Sequence, residues 1–242
     1  MAVIRTSLPR QIADEIRNRI SDGNLLPGQR LNERELIEAL DVSRTPFREA
    51  INILAGEKLV ELSPSRGASV RALSDDEIGS LVMLRGALER LAGKLAVESA
   101  SAADIAEIKR LRTAMNGDID KRDVSSWWRH DTEFHRSIFN ASANPFVVEY
   151  LDSISARLNV YNHFNFRAVT SGTRWLASSQ EHDLIVDCLE RRDGPGLGDL
   201  MEVHFSNSWR VAREYMGELA GSTSAEVERG PFKEADKHKG RA

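Results

Sequence analysis

Three features of the sequence predict a mainly α chain in two parts. Apolar residues recur at helical spacing through most of its length. One stretch, from Lys58 to Leu73, alternates instead like two strands around a glycine. After Leu73 the strand signals stop altogether. A chain of 242 residues favours two domains over one. The boundary is placed near Leu73, giving one domain over 1–73 and an all-helical one over 74–220. Residues 221–242 are small, charged and nearly free of apolar side chains, and are expected to form a disordered tail.

In the first domain, Ile12, Ile16 and Ile20 with Ala13 mark a helix over 10–21, stopped by Asp22-Gly23-Asn24. Pro27-Gly28 makes a turn. Asn32 and Glu35 form a capping-box pattern that opens a second helix through about Leu40. Asp41-Val42 read as a tight turn, and Ser43 as the cap of a third helix to about Gly56, with Pro46 tolerated in its first turn. "KLVEL", "SPSRG" and "ASVRAL" follow as strand, turn and strand, with Gly67 at the bend. Three short helices and a hairpin describe a winged helix-turn-helix. In the second domain "SDDE" at 74–77 is another capping box, and six helices are expected over 75–98, 101–121, 123–141, 145–165, 178–192 and 196–217. They would make an antiparallel helical bundle. Residues 166–177 carry the weakest pattern.

Composition narrows the class. Hydrophobic residues at 41% and charged residues at 29% suit a globular chain with a sizeable core. No apolar run approaches the ~18 residues that span a bilayer, and the N-terminal residues hold no signal-peptide core. Cys188 stands alone, which suits a reducing compartment. The cytoplasm is therefore expected. The net charge of −4 is uneven: the first domain is nearly balanced and slightly basic, and the acidic excess lies in the second. Whole-chain charge says little about nucleic-acid binding when one small domain meets the phosphates.

On the third helix Phe47, Ile51 and Leu54 share the inward face, so Arg44, Thr45 and Arg48 point outward near its N-terminus. In a helix-turn-helix those positions meet base edges and phosphates in the major groove, where arginine can take both acceptors of guanine. Arg34 on the preceding helix and Arg66 at the wing tip would extend that surface. The stretch "DGNLLPGQRLNERELIEALDVSRTPFREAINILAGEKLVELSPSRGASV" closely resembles the DNA-binding domain of the GntR family of bacterial transcriptional regulators. The resemblance implies contacts to double-stranded DNA from Arg34, Ser43, Arg44, Thr45, Arg48 and Gly67. Two positions depart from the family pattern: Asp41 and Lys58 stand where glycines are usual. Aspartate adopts the left-handed conformation at modest cost, though an acid near phosphate would weaken affinity slightly.

The second domain places polar residues on apolar stripes. Trp128, Asp131, His135 and Ile138 share one face of their helix. His182 lies with Ile185, Val186 and Leu189, and His204 with Leu197, Met201 and Val211. Burying an unpaired carboxylate is expensive, and a shared metal would neutralise it while employing three imidazoles. Four unrelated core polar groups, each with its own hydrogen bond, are the bland alternative. "LRGALERLAGKLAVE", "DTEFHRSIFNASANP", "EHDLIVDCLERRD" and "MEVHF" resemble the FCD domain of the FadR subfamily, in its six-helix VanR-like form. That resemblance implies one divalent metal per chain, Zn, Ni, Mn or Co, held by Asp131, His135, His182 and His204. Arg85 and Arg157 each interrupt an apolar stripe. A buried guanidinium needs a partner, either Glu89 for Arg85 or the carboxylate of a small effector.

The expected function is a homodimeric, metabolite-responsive DNA-binding regulator that represses from a roughly palindromic operator and is released by a small carboxylate. No membrane partner is expected. The alternative is a metal-dependent hydrolase of all-α fold, which the His130-Asp131 and His182-Asp183 neighbours resemble. It has too few inward carboxylates for a two-metal site and leaves the winged helix unexplained, so no enzyme is expected. A metal that only holds the helices together is a third option. Asn144 is assigned to helix capping, Cys188 to the core, and no role falls to His130, His163 or His238.

Overall fold

A computed structural model describes residues 7–65, 67–161 and 174–221. The N-terminal part begins with α1 (Leu8–Ser21), α2 (Glu33–Leu40) and α3 (Arg44–Gly56), followed by β1 (Val60–Ser63) and β2 (Gly67–Val70). The strands pair antiparallel, Val60 opposite Val70 and Ser63 opposite Gly67. Residues 28–31 lie along β2 as a partial third strand, with Leu31 N–H donating to Ala68 O and Val70 N–H to Gln29 O, both at 2.9 Å. Ile12, Ile16, Ile20, Phe47, Ile51 and Leu54 close the core. Both departures from glycine adopt the backbone that glycine would: Asp41 has φ 50° and Lys58 φ 64°. Ser43 sits at the N-cap of α3 but makes no side-chain capping bond. A cap oxygen normally accepts from the second or third helical N–H, and here the third residue is Pro46, which has none.

The second part comprises α4 (Asp75–Ser99), α5 (Ala102–Lys121), α6 (Val124–Ala141), α7 (Pro145–Leu158), a 3₁₀ turn (Asn159–Tyr161), α8 (Arg174–Glu190) and α9 (Gly194–Gly221). Ser74 and Glu77 complete the expected capping box on α4, and Asn144 accepts from Phe146 N–H and Val147 N–H at the start of α7. Three helices differ in extent from the sequence reading. The helix expected to run to 165 ends at Leu158, because Val160 and Tyr161 turn inward and are buried. The helix expected from 178 begins at Arg174. The last helix runs from Gly194 to Gly221. His163, His238 and the expected tail beyond 221 lie outside the described residues.

α4 and α9 cross at close range. A Cβ on Gly93 would fall 3.2 Å from Gly198 Cα, and one on Gly198 would fall 2.8 Å from Arg90 O. A side chain at Gly198 could not fit without a shift and one at Gly93 would be tight, and this close approach brings Arg85 and Glu89 on α4 opposite His204 and Phe205 on α9. One apolar cluster joins α4, α5, α6, α7, α8 and α9 through residues such as Ile108, Trp127, Phe134 and Leu189. The other is continuous from the winged helix into Leu158, Tyr161, Phe205 and Trp209. Tyr161 also grips the connection between the two parts, accepting from Leu73 N–H at 2.8 Å and donating to Leu73 O at 3.4 Å.

Candidate functional site

α6 presents Asp131 and His135 one turn apart, because the helix buries Trp127, Phe134 and Ile138 beside them. α8 carries His182 on its Ile185 and Leu189 face. α9 carries His204 beside Met201, its buried stripe continuing through Phe205 and Ala212 rather than the half-buried Val211. One ligand atom from each of the four lies within 4.8 Å of all the others. His182 Nε2 stands 3.3 Å from His135 Nε2 and 3.1 Å from Asp131 Oδ1. His182 is 0% exposed and His204 5%, and the side chains of His135 and Asp131 are 13% and 16% exposed.

The chemistry of this set fits a divalent cation. His204 Nδ1 is taken up by Glu181 Oε2 at 2.6 Å, which leaves Nε2 to the cluster. Glu181 is itself held by Asn207 Nδ2 at 3.1 Å. A carboxylate behind a histidine is the arrangement that fixes a ligand's tautomer and orientation. Asp131 Oδ1 is buried and accepts no hydrogen bond among the described residues. Burial lifts the Asp131 carboxyl above its ordinary 3.8, against the pull of His135, His204 and Arg85. Burial also holds His135 well below 6.5, so the imidazole is neutral and able to ligate. With bonds of about 2.0–2.2 Å, ligand atoms around one ion stand roughly 3–4.4 Å apart. Small side-chain shifts would bring all four to ligand distance.

Asp131, His135 and His204 stand on the wall of a cavity of about 280 Å³ that Arg85, Glu89, Trp128, Phe205 and Trp209 also line, while His182 is fully buried within the cluster. Arg85 Nε donates to Glu89 Oε1 at 2.8 Å, and its Cζ lies 4.3 Å from the Phe205 ring centroid. The partner expected from the sequence is therefore present, while Arg85 still faces the cavity. Arg157 is not part of the cavity wall; its Nε is buried without a hydrogen-bond partner among the described residues. Glu181 and Glu89 are the residues that sequence reasoning missed as parts of this site. His130, given no role, pairs with Asp118 at 2.6 Å, and Cys188 is buried in the core.

On the winged helix, Arg34, Arg44, Arg48 and Gly67 border one open groove, together with Arg30 and Asn52. Ser43 and Thr45 are exposed at the N-terminal end of α3 but do not line the groove. Arg48 is 67% exposed and donates from Nε to Glu33 Oε1 at 3.2 Å. Arg66 lies outside the described residues.

A winged helix-turn-helix carried on a helical bundle is the build of a DNA-binding transcriptional regulator rather than an enzyme. Residues 8–70 match the bacterial regulatory proteins of the gntR family and residues 80–207 match the FCD domain, and the chain belongs to that family in its FCD-bearing form. It is 30% identical over 201 residues to the probable D-xylose utilization operon transcriptional repressor of Paenarthrobacter nicotinovorans, covering 83% of this chain and 86% of that one. It is 26% identical over 204 residues to the HTH-type transcriptional regulator McbR of Escherichia coli (strain K12), covering 81% and 90%. The solved structure of E. coli McbR/YncC shares the fold with a TM-score of 0.75 at 23% identity, over 87% of this chain and 99% of that one. No described helix is long and apolar enough to cross a membrane.

Proposed function

We propose that the protein is a metabolite-responsive repressor in the cytoplasm, released from its operator by a small carboxylic acid that enters the helical domain beside a bound divalent metal. The observation that carries this reading is the convergence of Asp131, His135, His182 and His204, three of them on the wall of a cavity that a half-buried arginine, Arg85, also lines. Those four residues would hold the metal, Zn, Ni, Mn or Co, since nitrogen and oxygen ligands admit all of these. When bound, it supplies a positive charge that attracts an anion. Glu181 orients His204, Arg85 presents donors from the opposite helix, and the aromatic wall excludes water. Arg34, Ser43, Arg44, Thr45, Arg48 and Gly67 would meet DNA, with Arg66 extending the surface at the wing. The sign of regulation follows the named repressor of P. nicotinovorans. A homodimer would present two winged helices, and its symmetry calls for a roughly palindromic operator.

The signal would run through Trp209, which lines the cavity and packs edge-on against Tyr161, the residue that grips Leu73. An acid that shifts this contact must bind the two states with different affinity, and the operator must then alter acid affinity by the same factor. Elemental analysis of the full chain after dialysis against trace divalent metals tests the centre. One metal per chain is expected, with loading lost in His135→Ala and His204→Ala. A metal-free wild-type protein, or equal loading in both variants, overturns the assignment.

A further inference from the structure

The acid site contains a second carboxylate that metal binding does not explain. Glu89 is only 1% exposed, stands on the wall of the cavity, and is not among the four clustered ligands. Its Oε1 accepts from Arg85 Nε at 2.8 Å. That bond leaves the two terminal guanidinium nitrogens and the second carboxylate oxygen with no other protein hydrogen bond among the described residues. The Arg85–Glu89 pair thus offers donors and an acceptor side by side, with formal charges that cancel.

We propose that Arg85 and Glu89 together read a hydroxyl group, so that the effector is a small monocarboxylic acid bearing a hydroxyl rather than a dicarboxylic acid. This rests on the reading that the cavity takes an acid beside the metal centre. A hydroxyl is the one common group that both donates and accepts at a single atom, so it can accept from Arg85 and donate to Glu89. A second carboxylate would face Glu89, and like charges in a desolvated site are poorly screened. An ammonium has no lone pair to accept from Arg85. An apolar end would leave a buried polar pair without partners, and sites built to bond a hydroxyl reject analogues that lack one. Size agrees: about 280 Å³ equals roughly nine water molecules at liquid density, which suits a ligand of about that many heavy atoms.

The test is calorimetric titration of the full chain with matched acids of three to six carbons, each length supplied as the plain monocarboxylate, the hydroxy monocarboxylate and the dicarboxylate. In wild type the hydroxy acid is expected to bind at least ten-fold more tightly than its plain counterpart, with the dicarboxylate weaker still. Glu89→Gln keeps the shape and removes the charge, so the dicarboxylate should gain at least ten-fold. Arg85→Leu combined with Glu89→Leu replaces the pair by apolar groups, a change buried pairs often tolerate, and should abolish the preference for the hydroxyl. Dicarboxylates binding wild type as tightly as hydroxy acids overturn the proposal, as does an unchanged ranking in Glu89→Gln. If neither variant folds, the wild-type ranking still decides. Failure of every acid to bind wild type sinks the acid-site reading itself, a result distinct from a wrong ranking.

Discussion

Replacing Asp131 with asparagine should have opposite effects on stability with and without a divalent cation. In metal-stripped protein at pH 8 the variant is expected to be the more stable. Asp131 is 16% exposed, its Oδ1 accepts no hydrogen bond among the described residues, and burial raises its pKa above 3.8. The folded chain therefore holds that proton more tightly than the unfolded chain does. The resulting stability is fully present below pH 3.8 and is lost as pH rises through the raised value. His135 runs the other way. Its folded pKa lies well below 6.5, so its contribution is complete above pH 6.5 and falls away as pH drops toward the folded value. At pH 8 only the Asp131 penalty operates. An unsatisfied buried polar group costs about 1–3 kcal/mol, and a chain of this size gains about 2–4 °C in Tm per kcal/mol. The partial exposure of the carboxylate favours the lower half of that range. With cation at a hundred times its Kd, wild type gains about 2.7 kcal/mol. The neutral amide should forfeit most of this, so wild type then melts higher. Thermal melts of both proteins with chelator and with excess zinc make the comparison. If Asp131→Asn melts lower in both states, the carboxylate is already satisfied within the protein and the argument for a cation there fails.

Arg44→Ala and Arg48→Ala should each weaken operator binding without lowering Tm, by about 1–3 kcal/mol if the arginine reads a base; the exposed Arg48–Glu33 pair adds little stability. Fluorescence anisotropy at fixed salt measures this, and wild-type affinity in both variants would remove them from the interface. Tyr161→Phe should leave acid affinity intact but shrink the factor by which a bound acid changes operator affinity, because it deletes both hydrogen bonds to Leu73. An undiminished factor would show that the signal bypasses this contact. Gly198→Ala should cost about 1–3 kcal/mol, since its Cβ would sit 2.8 Å from Arg90 O. A melt within error of wild type would show that α4 and α9 can separate freely.

The elements of the winged helix were legible because each carries its own local signal: Asn32 caps α2, Gly67 opens β2, and Gly23 and Gly28 sit in the turns between α1 and α2 with left-handed backbone. The inward faces of the four clustered side chains were legible from period and apolar stripe, while their grouping into one ligand set came from the family resemblance. Periodicity does not reveal what lies opposite that face. Glu181 sits one residue before His182 and looks like a surface acid, yet it crosses to His204 on another helix. Glu89 reads as the structural partner of Arg85, and only packing against α9 shows that both face a cavity. Arg157 has the same sequence signature as Arg85 and lies outside that cavity, since a broken stripe marks a buried charge without naming its neighbour. The end of α7 was misjudged because Val160 and Tyr161 continue the apolar pattern of Ile154 and Leu158, and join the same core, after the helix has given way to a 3₁₀ turn.

That core has a consequence for how the molecule comes apart. Ile12, Leu54 and Val70 of the winged helix share one apolar cluster with Leu158, Tyr161 and Trp209, so heat cannot melt one part without exposing the buried face of the other. Calorimetry should show a single endotherm rather than two, with equal calorimetric and van't Hoff enthalpies. A fragment ending at Leu73 would bare the patch that Val160 and Tyr161 cover. A cavity ligand resting on Trp209 would then protect amides in α1 and α3 from hydrogen exchange, although it touches neither helix.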